Sequence, residues 1–262
     1  MSARRRPGRR AAAAILWLLV GFGATLPATA QTTQASKPAP PRPYRAVTVA
    51  LPPALDDAAF VAFRRQLADT AERKDKAALT ALIVPQGYFW VREPGTPDEP
   101  DRPAYDRLAA ALGLDGDAET VAGGWGRLYG YAQDPAAAPQ PGRDDTVCAP
   151  AEPLFNDPAL AAAIKATATD PPDWGYLRKP DVQLTARPRP GAPARERLPQ
   201  IFVRMLPDGG DSGKTLRIVA PSGKTGYVPA DAVMPLGTDQ ICYAKTADGW
   251  KIGGYIGGGE AP

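Results

Sequence analysis

Proline sets the tightest limit on how this chain folds, at 31 of 262 residues. Each proline fixes φ and removes an amide donor, which closes helix interiors and central strand positions to it. The chain is therefore built from short elements joined by long irregular connections. Its length suits one large domain or two modest ones.

The N-terminus follows another pattern. Arg4, Arg5, Arg6, Arg9 and Arg10 form a basic patch, and Ala11 to Ala24 is an uncharged apolar run. Leu26-Pro27-Ala28-Thr29-Ala30 then places small residues where an Ala-x-Ala site needs them. Residues 1–30 are predicted to be an export signal cleaved before Gln31, which makes the protein periplasmic or secreted. An uncleaved signal anchor over Ala11 to Ala30 is the other reading. No cysteine stands at the cleavage point and no twin-arginine pattern is present, so general secretion is expected. Cleavage removes five positive charges and takes the formal net charge from +3 to about −2. No basic patch is then left to argue for nucleic acid or anionic lipid, and no stable membrane insertion is expected after cleavage.

Histidine is absent. Ser-His-Asp triads, Cys-His dyads and His-ligated zinc all need it, and two cysteines cannot form a four-cysteine metal site. Carboxylate-only or Ser-Lys chemistry survives this filter, but no motif points to either. The expectation is a non-enzyme with no catalytic residue, no metal and no cofactor.

Residues 31–55 are rich in Pro and Ala and read as an extended linker, either a tether or a proline-rich ligand for another protein. Residues 56–175 carry helical signals. Asp56 or Asp57 caps a helix to about Glu72 with Phe60, Phe63 and Leu67 on one face. Asp75 caps a second helix with Leu79, Leu82 and Ile83 inward, and Tyr88 to Val91 reads as a short strand or aromatic plug. Asp101 is expected to cap a third helix from Pro103 to Leu112, stopped by Gly113. Asn156 or Asp157 caps a fourth, anchored by Leu160 and Ile164. Gly113 to Asp145 resists assignment. From Asp181 to Glu260 the period turns to alternation. Strands are expected at Val182–Ala186, Ile201–Leu206, Leu216–Ala220, Gly226–Val228, Ile241–Ala244 and Trp250–Ile256. The fold class is α+β: a helical region packed with or followed by a small antiparallel β-barrel.

Within that barrel, Val182-Gln183-Leu184-Thr185-Ala186-Arg187-Pro188 resembles the opening strand of a bacterial SH3-like domain. Pro193 to Leu198 resembles its next loop and turn, and Ile201 to Leu206 its second strand. Leu216-Arg217-Ile218-Val219 is similar to the W-x-K-V strand, with leucine where tryptophan is frequent. Gly223-Lys224-Thr225-Gly226-Tyr227-Val228 matches the G-x-x-G-Y-V hairpin, and Ala230-Asp231-Ala232-Val233 resembles the short helical turn after it. The resemblance covers about a fifth of the chain and joins it to exported bacterial proteins with an N-terminal helical region. It implies a non-catalytic module that recognises a protein, a peptide or a cell-wall polymer such as peptidoglycan.

Cys148 and Cys242 are an even pair in an exported chain and are expected to form a disulfide, two buried thiols being the alternative. A bridge would close a loop of about 95 residues and stabilise by up to about 4–5 kcal/mol. Four tryptophans (Trp90, Trp125, Trp174, Trp250) and several tyrosines either line a groove or fill a core. Tyr227, Trp250 and Tyr243 are the candidate binding residues. The competing function is a small-ligand carrier or enzyme with its pocket in the helical region near Phe89-Trp90.

Overall fold

The computed structural model describes residues 39–92, 99, 101–189, 191–207 and 214–258. The expected export signal over residues 1–30 and the linker as far as residue 38 lie outside the described residues.

Helix starts follow the local signals. Asp57 takes an extended conformation, and its Oδ1 accepts the N–H groups of Ala59 and Phe60, which opens α1 (Ala58–Glu72). Asp75 caps α2 (Lys76–Ala81) through the Ala78 N–H. Helix α3 (Ala104–Leu112) ends at Gly113 in the left-handed region, as expected. The expected Asp101 cap is corrected: Pro103 holds the N-cap position without a side-chain bond, and Asp101 lies two residues before it. Asn156 caps α5 (Asp157–Thr167).

The unassigned stretch contains α4 (Ala118–Gln133). Gly123, Gly124, Gly126 and Gly130 hide it, since each glycine lowers helix propensity by about 1 kcal/mol. Gly124 has a packing reason to be there. A Cβ at that position would fall 2.3 Å from the Leu112 carbonyl oxygen, so glycine lets α4 pass against the end of α3. Arg127 Nη2 then donates to the same oxygen at 2.7 Å.

Two sheets, rich in antiparallel pairs, complete the α+β fold. The first combines β1 (Phe89–Val91), β2 (Ala138–Pro139), β3 (Thr146–Ala149), β11 (Gln240–Thr246) and β12 (Gly249–Ile256) in the order β1-β12-β11-β3-β2. Of these strand pairs, β1 with β12 is parallel and the others are antiparallel. Alternation along β11 sends Ile241 and Tyr243 to the face covered by the helices, where they join Phe60, Leu67, Leu108 and Leu128. Cys242 points to the other face, beside Phe89 and Cys148. The expectation that these C-terminal strands belong to the barrel is corrected. They belong to the helical layer, because Ile241, Tyr243, Trp250, Ile252 and Tyr255 fill its core.

The second sheet holds β4 (Trp174–Leu177), β5 (Val182–Thr185), β6 (Ala194–Leu198), β7 (Phe202–Met205), β8 (Thr215–Val219), β9 (Thr225–Pro229) and β10 (Val233–Pro235). Its order is β10-β4-β7-β8-β9-β5-β6. It cannot be flat. Leu177 and Val182 are joined by a link that spans at most about 18 Å when fully extended. Their strands, four positions apart, would stand about 19 Å apart in a flat sheet. The link also turns, with Asp181 at φ 61°. The sheet therefore curls around Leu177, Val182, Leu184, Val203, Ile218 and Val228. The expected closed barrel is an open, curled sheet among the described residues. Its edges are guarded without closure: β10 is short and ends in Pro235, and β6 carries Arg195, Glu196 and Arg197.

The second sheet is inserted between β3 and β11 of the first. At the neck of the insertion Cys242 and Cys148 face each other as register partners and are bonded, with Cα atoms 4.0 Å apart, near the spacing of a non-hydrogen-bonded antiparallel pair. The expected disulfide is present.

The linker reading is corrected from Ala39 onward. Tyr44 is buried, and its hydroxyl lies within hydrogen-bond distance of the Phe202 and Val219 carbonyls, at 3.2 and 3.0 Å. Buried Arg204 donates to the carbonyls of Ala39 and Pro40. Bridges Thr48–Ile201, Ala50–Leu154 and Ala54–Ala136 carry the strap from the second sheet to the first. Val47 and Val49 pack with Trp174, Phe202 and α5 residue Leu160, which is why the segment is held.

Candidate binding cleft

The sequence nominates three aromatic binding residues, and the fold separates them. Tyr243 is fully buried beneath α1, edge-on to Phe60 and Phe63 at ring distances of 5.2 and 5.8 Å. Burial pushes its hydroxyl pKa well above the ordinary value. Trp250 is 8% exposed and packs on Phe60 at 4.8 Å. Both are core residues, so they are withdrawn as ligand contacts: their ring faces are covered by protein. Trp90, Trp125, Trp174, Tyr88, Tyr176 and Tyr255 are buried as well, while Tyr129 is 42% exposed.

Two polar clusters hold the helical layer together. Asp57 Oδ2 accepts from Lys245 Nζ at 2.9 Å and Trp250 Nε1 at 3.3 Å, tying the start of α1 to the β11–β12 hairpin. The Lys245 ammonium, and after it the Phe60 N–H, pull this carboxyl down from 3.8 to about 2. Behind it, Tyr255 donates to Asp239 at 3.0 Å and shares a hydrogen bond with Tyr131 at 3.1 Å. Burial pushes the Tyr131 hydroxyl up to about 12, so it stays protonated at neutral pH. At Phe89-Trp90, where the competing reading expects a pocket, Trp90 Nε1 donates to the Gly257 carbonyl and Arg92 stacks over its ring at 3.4 Å.

Tyr227 stands elsewhere. It is half-buried on β9, opposite Thr185 of β5 and Arg217 of β8. Thr185 Oγ1 lies 3.1 Å from the Tyr227 carbonyl and 3.0 Å from that of Arg187, which holds β5 against β9 where the chain leaves for its turn. The approach depends on Gly226, where a Cβ would fall 2.6 Å from the Thr185 carbonyl oxygen. Beside this crossing opens a cleft of about 810 Å³. Val182, Val228 and Ala232, all buried, lie beneath it, half-buried Tyr227 borders it, and the turn through Pro188 and Ala192 forms one rim. Lys179, Arg189 and Lys214 also line it, as does one described carboxylate, Asp181. The volume falls in the range of small-ligand sites.

Sequence reasoning reached Tyr227 through the Gly-Tyr hairpin but missed Lys179, Arg189 and Lys214. They come from three separate connections, and no spacing rule joins them. Among the described residues no three acidic or cysteine side chains converge as a metal site, and no helix is long and apolar enough to cross a membrane. No protein-family model matches this chain, and no curated protein or solved structure matches it either.

Proposed function

We propose that this chain is an exported, non-catalytic binding protein of the cell envelope whose residues 174–235 form an SH3-like module. The module recognises a protein, peptide or cell-wall ligand, with no cofactor, metal or nucleic acid involved. The observation that carries the reading is the Tyr227 cleft, an open trough over buried apolar residues with a charged rim on a curled sheet. The order of the elements supports the module. Strand β5, the β8–β9 hairpin with Gly223 at φ 79°, and a 3-10 turn over Ala230–Ala232 follow one another as in the resemblance. Leucine at position 216 keeps its strand, pairing with Val228.

The test is a pull-down of the mature chain against insoluble peptidoglycan and against periplasmic extract, with Tyr227→Ala alongside. Retention on one of them, lost in the variant while the fold stays intact by circular dichroism, supports the reading. Absence of retention on both, or retention indifferent to Tyr227, overturns it. Export is tested separately by intact mass of the envelope-extracted protein, which is expected to begin at Gln31.

A further inference from the structure

We infer that the Tyr227 cleft selects an extended peptide bearing carboxylates. This rests on the binding reading above and adds the ligand's chemistry. The mature chain is expected to be slightly acidic, yet the cleft departs from that balance. Lys179 from the β4–β5 link, Arg189 from the β5–β6 turn and Lys214 at the head of β8 converge on it, against Asp181 alone among the described carboxylates. All three cations are exposed. Other basic residues of the same sheet have structural work: Lys224 faces Glu196, Arg195 donates to the Thr225 carbonyl, Arg178 pairs with Asp134, and Arg204 holds the strap. No side-chain hydrogen bond or ion pair engages Lys179, Arg189 or Lys214 among the described residues, so their charge is directed at whatever enters the cleft.

The cleft floor lies over buried Val182, Val228 and Ala232, and Tyr227, on the opposite face of β9 from Val228, borders it between the cationic rims. An extended chain alternates its side chains, so it can set apolar groups on such a floor and hold carboxylates toward the rims. A like-charged ligand is repelled by the same field, which makes the rim a device for selection as well as attraction.

Anisotropy of fluorescein-labelled eight-residue peptides on the mature chain tests this. The probes alternate leucine with glutamate, glutamine or lysine. The glutamate peptide is expected to bind at least about tenfold more tightly than the lysine peptide at low salt, with the gap shrinking at about 0.5 M NaCl. Lys179→Gln, Arg189→Gln and Lys214→Gln are each expected to weaken the glutamate peptide about two- to fivefold, the range for exposed pairs. The triple variant should lose the preference while melting at an unchanged temperature, since all three side chains are exposed. Equal binding of the three peptides, still dependent on Tyr227, would sink the charge selection and leave the binding reading standing. Displacement of the glutamate peptide by an uncharged chitin oligosaccharide at equal concentration would also overturn it. If no peptide binds and peptidoglycan and extract fail as well, both fall together.

Discussion

The two sheets bury their aromatic residues in different ways, and the contrast sets the Tyr227 cleft apart. The five-stranded sheet is covered by α1–α4 and filled with large rings: Phe60, Phe63, Tyr243, Trp250 and Tyr255 lie in one core. The seven-stranded sheet curls around aliphatic side chains on one face, buries Trp174, Tyr176 and Phe202 beneath the strap and α5, and leaves Tyr227 half-buried at a cleft. A helix-covered sheet consumes its aromatic residues as core. Tyr227 belongs to none of the buried clusters and stays half-buried at the cleft. Residue type is thus a poor guide to which aromatic side chain stays uncovered here, and position in the fold is a good one.

The largest expected effect lies at the neck of the insertion, where the bond between β3 and β11 of the first sheet closes the loop that carries the second. Replacing Cys148 and Cys242 by serine is expected to cost about 4–5 kcal/mol, the chain-entropy value for a loop of this size. Urea unfolding followed by tryptophan fluorescence measures it. A loss under about 1 kcal/mol would mean that the neck strands hold the insert without the bond.

Next come the two tyrosines. Tyr243→Ala removes a fully buried ring and is expected to cost about 3–5 kcal/mol. Tyr227→Ala is expected to cost under about 1 kcal/mol while removing binding. Equal losses of stability would erase the distinction between core and cleft.

A smaller effect tests the strap. Tyr44→Phe removes one buried hydroxyl and its bonds to Phe202 and Val219, an expected loss of about 1 kcal/mol. Limited proteolysis between Ala39 and Leu55 should speed up accordingly. Unchanged cleavage would show that apolar packing of Val47 and Val49 holds the segment unaided.

The smallest effect is acid sensitivity of the helical layer. The Asp57 carboxyl is held at about 2 against an ordinary 3.8, so it binds a proton less readily folded than unfolded. Its contribution is full above about pH 4 and is lost as pH falls toward about 2. The melting temperature of wild type should therefore fall more steeply than that of Asp57→Asn across that window. Parallel profiles would show that the Lys245 contact adds nothing measurable in solution.

Much of the local structure is legible in the residues themselves. Asp57, Asp75 and Asn156 announce their helices because capping is settled within three or four residues. Gly113 stops α3 for the same local reason. Alternation around Val182, Phe202, Ile218 and Val228 marks strands, and two cysteines in a chain expected to be exported leave one natural pairing. The α+β class follows from these.

Tertiary structure decides what depends on distant partners. Nothing local distinguishes Tyr243 from Tyr227: both sit in alternating strands, and only the pairing of β11 with β3 and β12 puts one beneath α1. The proline-rich strap reads as a tether because proline offers no periodic pattern, yet the Tyr44 and Arg204 hydrogen bonds hold it across more than 150 residues of chain. Helix α4 is hidden because glycine is costly by propensity, and the Leu112 carbonyl that makes Gly124 necessary belongs to another helix. Short-range geometry is written in neighbouring side chains, whereas partner choice among strands depends on which apolar surfaces meet once the whole chain has collapsed.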